Sequence, residues 1–284
     1  MIRAYSPGHL TCFFQPVRVD SLAASGSRGA GVRLSLGSEV SVEETRSGVR
    51  VFLDGEPSEA RVSRRVADLL APGRGLEVHV LNSLPMGQGM GMSASGAVAL
   101  GLCLCGMLGL HEEEAYAAAH VAEVECGGGL GDVAGISCRG HQPVRVSPGL
   151  PPAGRVEDTG ISLHLSLAVL GGPLSTGSVL GDPERSSRIS RSGGFALEEY
   201  LAAPSADSLF RLSNRFSADS RLETGEVSRA IGLLKGAGFR AGMCMLGHSV
   251  FTDAPASETA ELLPQARVFR CPSTAEPARI IRKA

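Results

Sequence analysis

The chain has 284 residues and a formal net charge of -2 at pH 7, with 43% hydrophobic and 20% charged residues. A nearly neutral chain with 4% aromatic residues and no tryptophan lacks the basic surface and stacking side chains that bind nucleic acid, so we exclude that partner. No segment is long and apolar enough for a membrane span or a secretory leader. The odd number of cysteines, without a C-x-x-C pair, favours a reducing, cytoplasmic compartment.

The first part of the chain predicts mostly strands. The stretch RAYSPGHLTCFF indicates a short strand, a turn and a second strand. Apolar and polar residues alternate from Val32 to Val42, and GVRVFLDG follows after a turn, which predicts a hairpin. The stretch SEARVSRRVADLLA has helical spacing and ends at Pro72, and LEVHVLNSLP predicts the next strand.

The middle of the chain predicts two helices and a domain boundary. The first helix runs from about Ser93 to Leu108, and the second is HEEEAYAAAHVAEVE, whose early glutamates complement the helix dipole. The stretch HQPVRVSPGLPPAG then predicts a strand that runs into a proline-rich bend. We place the boundary at this bend, which gives one domain over residues 1–155 and another over residues 156–284.

The second half of the chain predicts an α+β layer. It contains, in order, the strand ISLHLSLAVL, the loop GGPLSTGSVLGDPERSSRISRSGG, helices at about Ala196–Phe216 and Glu226–Ala237, the strand GMCMLGHSVF, a short helix near Ser257–Leu263 and the strand ARVFRC. This order predicts helices packed against an antiparallel sheet.

The glycine-rich stretch LPMGQGMGMSASGAVALGLCLCG is the strongest functional motif. Gly87, Gly89 and Gly91 would expose backbone N–H groups, and the helix behind them adds unpaired donors, so we interpret the loop as a phosphate cradle. It lacks the lysine of a Walker A loop and the spacing of a Rossmann loop. Lys235 and Lys283 are the only lysines, so arginines, backbone groups, helix ends or a metal ion must offset the charge of an anion. The alternative is a turn that packs the helix against a strand.

Hydroxyl and carboxylate groups accompany this loop. Ser93 and Ser95 are placed to cap the helix, to bind a phosphate oxygen or to ligate Mg²⁺. In AEVECGGGLGDVAG, Asp132 follows a flexible glycine loop, from which a carboxylate can accept a proton from a substrate hydroxyl. Glu123 or Glu125, at the end of the preceding helix, could hold Mg²⁺. The alternative for Asp132 is a cap of the next short helix.

The order of these motifs resembles the GHMP kinase superfamily. Over essentially the whole chain, SPGHLTCFF, GSRGAGVRLSLG, GGGLGDVAG and GMCMLGHSVF are similar to the archaeal pantoate kinase family. The resemblance implies an α+β GHMP kinase fold, with an N-terminal α/β domain that contains a left-handed β-α-β unit and a ferredoxin-like C-terminal domain. It also implies ATP-dependent phosphorylation of pantoate to 4-phosphopantoate in coenzyme A biosynthesis, with Mg²⁺ as cofactor. Homodimers are common among such relatives.

Two other functions stay open at this point. One is a GHMP kinase that acts on shikimate, homoserine or a mevalonate-pathway alcohol. The other is a nucleotide-binding regulator without catalytic activity. A panel of acceptor substrates with detection of ADP separates them.

The resemblance further implies which residues bind the nucleotide and the metal. The ATP phosphates would lie on the cradle, formed by Pro85, Gly87, Gly89, Gly91, Ser93, Ala94 and Ser95. Mg²⁺ would lie near Ser95 and Glu123, with Glu125 as the second choice. Asp132 matches the general base of several superfamily members.

Other site residues concern the acceptor substrate. Some superfamily members place a lysine beside the catalytic aspartate, and His9 and Arg3 occupy that region here. We assign Arg28 to the pantoate carboxylate, because arginine forks onto a carboxylate with two bonds. Gly247 and His248 are expected to approach the substrate from the second domain. The alternatives are that His9 is a packed histidine, that Arg28 is a surface charge, and that Gly247 and His248 belong to a buried strand.

Overall fold

The computed structural model describes residues 1–172 and 183–283. The strands of its larger sheet are β1 (Ile2–Val17), β2 (Gly26–Thr45), β3 (Val49–Leu53), β4 (Glu56–Ser58), β5 (Gly75–Asn82), β6 (Pro143–Ser147), β7 (Arg155–Asp158) and β12 (Arg279–Lys283). Six of them follow the order β12-β1-β2-β5-β3-β4, while β6 pairs with β2 and with β7.

The N-terminal strand is continuous, which corrects the prediction of two strands around a turn. β1 pairs with β2 along its whole length. Its register shifts between Pro7 and Gly8, since a bulge accommodates a proline that has no N–H to donate. Just after this bulge, the His9 backbone N–H donates to the Met90 carbonyl at 3.2 Å. The irregularity therefore brings β1 against the glycine loop.

The predicted hairpin after Val42 is wrong. β5 lies between β2 and β3, antiparallel to β2 and parallel to β3. The chain passes from β3 to β5 through β4 and helix α1 (Arg61–Leu70), which forms the β-α-β unit implied by the resemblance. The hand of this unit stays a prediction. Alternation identifies a strand but not its partner, because either neighbour can complete the same apolar face.

Three helices cover this sheet near the glycine loop: α2 (Met92–Leu108), α3 (Glu112–Glu125) and α4 (Asp132–Ser137). α2 is buried without interruption from Ala94 to Cys105, because it packs between the sheet and the helices α1 and α3. Gly101 permits a close approach of α3, since a Cβ there would lie 2.9 Å from the Ala115 backbone. The helix predicted from Ser93 to Leu108 is confirmed to within one residue.

The second sheet has four strands, β8 (Ser166–Val169), β9 (Ala241–Met243), β10 (Ser249–Thr252) and β11 (Arg267–Arg270), in the order β11-β8-β10-β9. All its pairings are antiparallel. Helices α5 (Pro183–Ala202), α6 (Ala206–Asp219) and α7 (Gly225–Gly236) connect β8 to β9, and α8 (Ala256–Leu262) connects β10 to β11. This β-α-β-β-α-β succession confirms the expected ferredoxin-like layer.

Three local predictions in this layer need correction. The predicted loop over residues 171–194 is helical from Pro183, a residue suited to the first turn of a helix; its residues 173–182 lie outside the described part of the chain. The helix predicted over Ala196–Phe216 is two helices, because Pro204 ends one and Ser205 caps the next. The predicted strand GMCMLGHSVF is β9, a tight turn and β10.

The proposed division into two domains stays a prediction, and two observations bear on it. The boundary at residue 155 falls at the start of β7, which belongs to the larger sheet. The C-terminal strand β12 also returns to that sheet and pairs with β1. Among the described residues, no helix has the length and apolar content needed to cross a bilayer.

Candidate active site

A cavity that is open to solvent lies where the glycine loop, the loop before α4 and the β9–β10 turn meet. Its walls contain six of the predicted cradle residues, namely Pro85, Gly87, Gly89, Gly91, Ser93 and Ala94. They also contain Glu123 and Asp132. The two motifs that the sequence separates by about forty residues therefore face one space.

Three alternate residues of the glycine loop have a left-handed backbone conformation. Gly87, Gly89 and Gly91 have φ values of 71°, 72° and 67°, which L side chains rarely adopt. Gly91 is the N-cap of α2, and no side chain caps the first turn of this helix. The N–H groups of that turn are therefore free of a capping side chain at the wall of the cavity, with the positive end of the helix dipole behind them.

Close packing explains two of the glycines. A Cβ at Gly89 would lie 2.6 Å from the Met245 carbonyl oxygen, and a Cβ at Gly91 would lie 2.6 Å from the His9 carbonyl oxygen. Gln88 joins the loop to the four-stranded sheet. Its side-chain amide donates to Gly171 O, just after β8, at 2.9 Å, and its backbone carbonyl accepts from the hydroxyl of Ser249, in β10, at 2.6 Å. The loop is held from both sides.

Glu123 is a buried carboxylate in the cavity wall. Only 1% of the residue is exposed, and its side chain accepts hydrogen bonds from the Ser93 hydroxyl and from the Gly129 N–H at 2.6 Å. Burial raises the pKa of Glu123 to about 7, an effect that these two hydrogen bonds oppose. No cation of the described chain forms an ion pair with this carboxylate.

Ser95 and Glu125 do not belong to the cavity. The Ser95 hydroxyl is fully buried, donates to Ser6 O at 2.7 Å and accepts from Ser38 N at 2.9 Å, so it joins α2 to the first two strands. Glu125 lies at the surface and pairs with Arg65 at 2.8 Å. Neither Ser93 nor Ser95 caps α2 with its side chain. The predicted metal pair was Ser95 with Glu123, but the serine whose hydroxyl contacts Glu123 in the structure is Ser93.

A buried chain of hydrogen bonds lies behind Asp132. His9 Nδ1 is 2.8 Å from Asp132 Oδ1, and Arg145 Nη1 is 3.2 Å from His9 Nε2. His9 and Arg145 are completely buried, whereas 22% of the Asp132 side chain is exposed. Burial lowers the pKa of His9, and it lowers the pKa of Arg145 to about 10. At neutral pH, Arg145 is charged and His9 is neutral.

These pKa values fix the direction of the hydrogen bonds. A guanidinium has donors but no acceptor, so His9 Nε2 accepts and the ring proton lies on Nδ1. Nδ1 then donates to Asp132, which accepts as a carboxylate. The chain Arg145–His9–Asp132 therefore holds one carboxylate oxygen and places a positive charge behind it.

Glycines enclose the imidazole of His9, which explains two further motifs. A Cβ at Gly31, in GSRGAG, or at Gly135, in GLGDVAG, would overlap atoms of the His9 ring. The third glycine at this histidine is Gly91 of the cradle, which packs on its backbone. His9 is thus packed among glycines and is hydrogen-bonded to Asp132, while its part in catalysis stays a prediction.

Arg3 and Arg28 lie outside this arrangement. Arg3 forms an ion pair with Glu39 on the neighbouring strand. Arg28 donates through Nε to Val146 O and through Nη1 to Gln15 Oε1, both at 3.0 Å, and it is absent from the cavity wall. The expectation that Arg28 receives the acceptor's carboxylate therefore lacks support in the geometry.

The β9–β10 turn reaches the cavity with different residues from those predicted. The His248 ring bonds to Thr224 Oγ1 at 2.8 Å and lies 3.6 Å from a Glu226 oxygen, at the start of α7. Gly247 packs on the backbone of Gln88 and is absent from the cavity wall. Met245 and Leu246, the two preceding residues, line the cavity instead.

Arg145 is the main residue that sequence reasoning missed. It lies in β6, whose neighbouring residues are Val144 and Val146. A lone charge inside a short apolar strand is a signal of a buried, functional side chain, since unpaired arginines are seldom buried. The Nε of Arg145 has no hydrogen-bond partner among the described residues.

The fold, the glycine loop and the two carboxylates of the cavity wall, Glu123 and Asp132, are those of a small-molecule kinase of the GHMP class. The family model "GHMP kinases N terminal domain" matches residues 60–140. A pantoate kinase of Thermococcus kodakarensis is 36% identical over 277 residues, which cover 93% of this chain and 92% of that protein. A pantoate kinase of Methanospirillum hungatei is 32% identical, over 91% of this chain and 89% of that one.

A solved structure described as "Phosphotransferase related to CoA biosynthesis pathway" superimposes with a TM-score of 0.88 at 32% identity, over 98% of both chains. The identities and the nearly complete coverage show the family directly. The chain belongs to the pantoate kinases of the GHMP kinase superfamily.

Proposed function

We propose that this protein transfers the γ-phosphate of ATP to the primary hydroxyl of pantoate, giving 4-phosphopantoate and ADP. Membership of the pantoate kinase family supports the reaction. The observation that carries the assignment to this cavity is the Arg145–His9–Asp132 chain, which ends in a partly exposed carboxylate facing the glycine loop. A base opposite a phosphate cradle is the arrangement that transfer to a hydroxyl requires.

The nucleotide would occupy the cradle and an adjoining pocket. Among the residues that the structure describes, none in the cavity wall is a lysine or an arginine, so the backbone N–H groups and the N-terminus of α2 would offset the phosphate charge. A second pocket shares Met86, Met92, Ser93 and Gly128 with the cavity. Its other walls include the apolar Leu53, Val62 and Val80 and the polar Arg61, Ser63 and Asn82, a mixed surface that suits a nucleoside.

The residues present fit Mg²⁺. Glu123 is a buried carboxylate without a cation of its own, and the Ser93 hydroxyl is bonded to it, so both oxygens could serve as ligands. Mg²⁺ characteristically takes one or two carboxylates and completes its shell with phosphate oxygens and water. Bound there, the ion would offset the charge of the triphosphate during transfer.

Asp132 would accept the proton of the attacking hydroxyl. His9 Nδ1–H occupies one carboxylate oxygen, which orients the group and leaves the other oxygen for the substrate. The imidazole of His9 is in turn held by the Arg145 guanidinium, so the orientation of the carboxylate is fixed through two successive buried side chains. Positioning and charge compensation are the main contributions that a protein makes to this reaction.

The carboxylate of pantoate would bind near Arg145. The Arg145 Nε lacks a partner among the described residues and lies beside Ser27 and Gly131, both in the cavity wall. A Cβ at Gly131 would overlap Ser27 and this nitrogen, so the glycine allows both side chains to pack directly against it. A buried, unsatisfied donor of a charged group is strongly stabilised by an anionic acceptor.

A panel of acceptors with coupled detection of ADP tests the function. Pantoate should give the highest kcat/KM, and mass spectrometry of its product should show one added phosphate. A preference for shikimate, homoserine or mevalonate would refute the assignment, and ATP binding without ADP release from any acceptor would indicate a regulator. The expected homodimer and the cytoplasmic location stay predictions from the sequence.

A further inference from the structure

The β9–β10 turn has a leucine where its backbone favours glycine. The Gly247 N–H donates to Cys244 O at 3.0 Å, which closes a four-residue turn. Leu246, the third residue of the turn, has a φ of 65°. The turn type with positive φ at this position normally takes glycine or asparagine there, because a Cβ clashes with the backbone. Leucine is thus an unfavourable choice for the turn itself.

The turn cannot relax away from the cavity, because both of its ends are fastened. The His248 N–H donates to Gln88 Oε1 at 3.1 Å, and Gly247 packs against the backbone of Gln88. On the other side, the Met245 N–H donates to Thr11 O at 3.3 Å. The side chain of Leu246 is therefore held at the wall of the cavity in spite of its backbone conformation.

This turn stands beside the acceptor end of the cavity. Thr11, which binds the Met245 N–H, also lies 3.4 Å from Arg145 Nη2 through its hydroxyl. Met245, Leu246 and Phe14 give this part of the cavity an apolar surface, in contrast to Asp132 and Ser27. If an acceptor binds with its hydroxyl at Asp132 and its carboxylate near Arg145, the carbon atoms between these two groups face apolar side chains.

Pantoate has the matching distribution of polarity. Between its primary hydroxyl and its carboxylate lie a quaternary carbon that carries two methyl groups and a carbon that carries the second hydroxyl. We propose that Leu246, together with Met245, forms the wall that recognises this dimethyl carbon, so that Leu246 is a specificity-determining residue. The proposal rests on the proposed function, since it concerns the same acceptor, and it accounts for a leucine at a glycine position.

The test compares pantoate with 2,4-dihydroxybutyrate, which is pantoate without its two methyl groups. Both are assayed with the wild-type enzyme and with the variants Leu246→Gly and Leu246→Asn, whose residues accept positive φ and should fold at least as readily. In both variants the ratio of kcat/KM for pantoate to that for the analogue should fall by about tenfold or more, the scale of discrimination by one apolar group. The KM for ATP should stay unchanged.

The control variant is Arg221→Gly. Arg221 also has a positive φ, 54°, but it is exposed and absent from the cavity wall, so its replacement relieves backbone strain without touching the acceptor. It should leave the ratio at the wild-type value.

A wild-type ratio near one, or variants that lose activity equally on both substrates, would overturn the role of Leu246 while the proposed function stands. A wild-type enzyme that phosphorylates neither substrate, but is active on another acceptor, would refute the proposed function itself. The two failures are therefore distinguishable in one set of assays.

Discussion

Replacing Arg145 by lysine tests where the carboxylate of the acceptor binds. The change keeps a positive charge in the buried site but removes the planar fork, including the Nε that has no partner in the described structure. A hydrogen bond to a charged group contributes about 1.5 to 3 kcal/mol. Since about 1.4 kcal/mol corresponds to a tenfold change in an equilibrium constant, the KM for pantoate should rise by roughly tenfold to 100-fold.

The assay is steady-state ADP formation with pantoate varied at saturating ATP and then with ATP varied. The KM for ATP should change little, because Arg145 lies behind His9 and its side-chain hydrogen bonds in the described structure are to His9 and Thr11, not to the glycine loop. Arg28→Lys is the matched control, since Arg28 is engaged by Val146 and Gln15 and should leave the pantoate KM unchanged. The reasoning fails if Arg145→Lys has the wild-type KM for pantoate, or if Arg28→Lys is the variant that raises it.

Three further predictions follow from the site. Glu123→Gln should raise the Mg²⁺ concentration for half-maximal rate by about tenfold or more, because the buried oxygen loses its charge; an unchanged requirement contradicts the metal assignment. Gly135→Ala removes no functional atom but forces its Cβ into the His9 ring, so kcat should fall by about tenfold or more while ATP still binds; a normal kcat would show that the ring tolerates displacement. Burial lowers the pKa of both His9 and His120, so these histidines bind protons more weakly in the folded chain than in the unfolded chain. Each histidine should therefore lower the free energy of unfolding as pH drops below about 6.5, by at most about 1.4 kcal/mol per pH unit, while the raised pKa of Glu123 acts in the opposite direction. Urea titrations of the wild type and of His120→Gln isolate the histidine contribution: the variant should lose less stability than the wild type on acidification, and an equal loss in both would refute it.

Local signals explain the parts of the fold that the sequence predicts well. α2 begins after Gly91 and ends before Gly109, so glycine stops mark both ends. The pairing of strands is not predicted by such local signals. β3 pairs with β5 and not with β2, because alternation of apolar and polar residues does not specify which strand lies beside it. The short strand β12, over Arg279–Lys283, was not predicted at all, since it becomes a strand only beside β1.

The candidate site likewise contains residues that local sequence patterns predict and residues that they do not. Loop residues with a fixed backbone role, such as Gly89 and Gly91, and the carboxylates beside them were predicted because glycine spacing is a local signal. The roles of Ser95 and Arg28 depend on which way a side chain points, and both turn to partners on other strands. Arg145 comes to His9 across 136 positions of sequence, a contact that no local pattern contains.

The turnover of Asp132→Asn with pantoate tests whether Asp132 is the base that accepts the proton of the attacking hydroxyl. Asparagine keeps an oxygen for the His9 N–H but cannot accept a proton from the hydroxyl, and the cradle for ATP is untouched. The account predicts that kcat falls by about 100-fold or more while the dissociation constant for ATP stays near that of the wild type. A kcat within a few-fold of the wild-type value, with ATP binding intact, would contradict it.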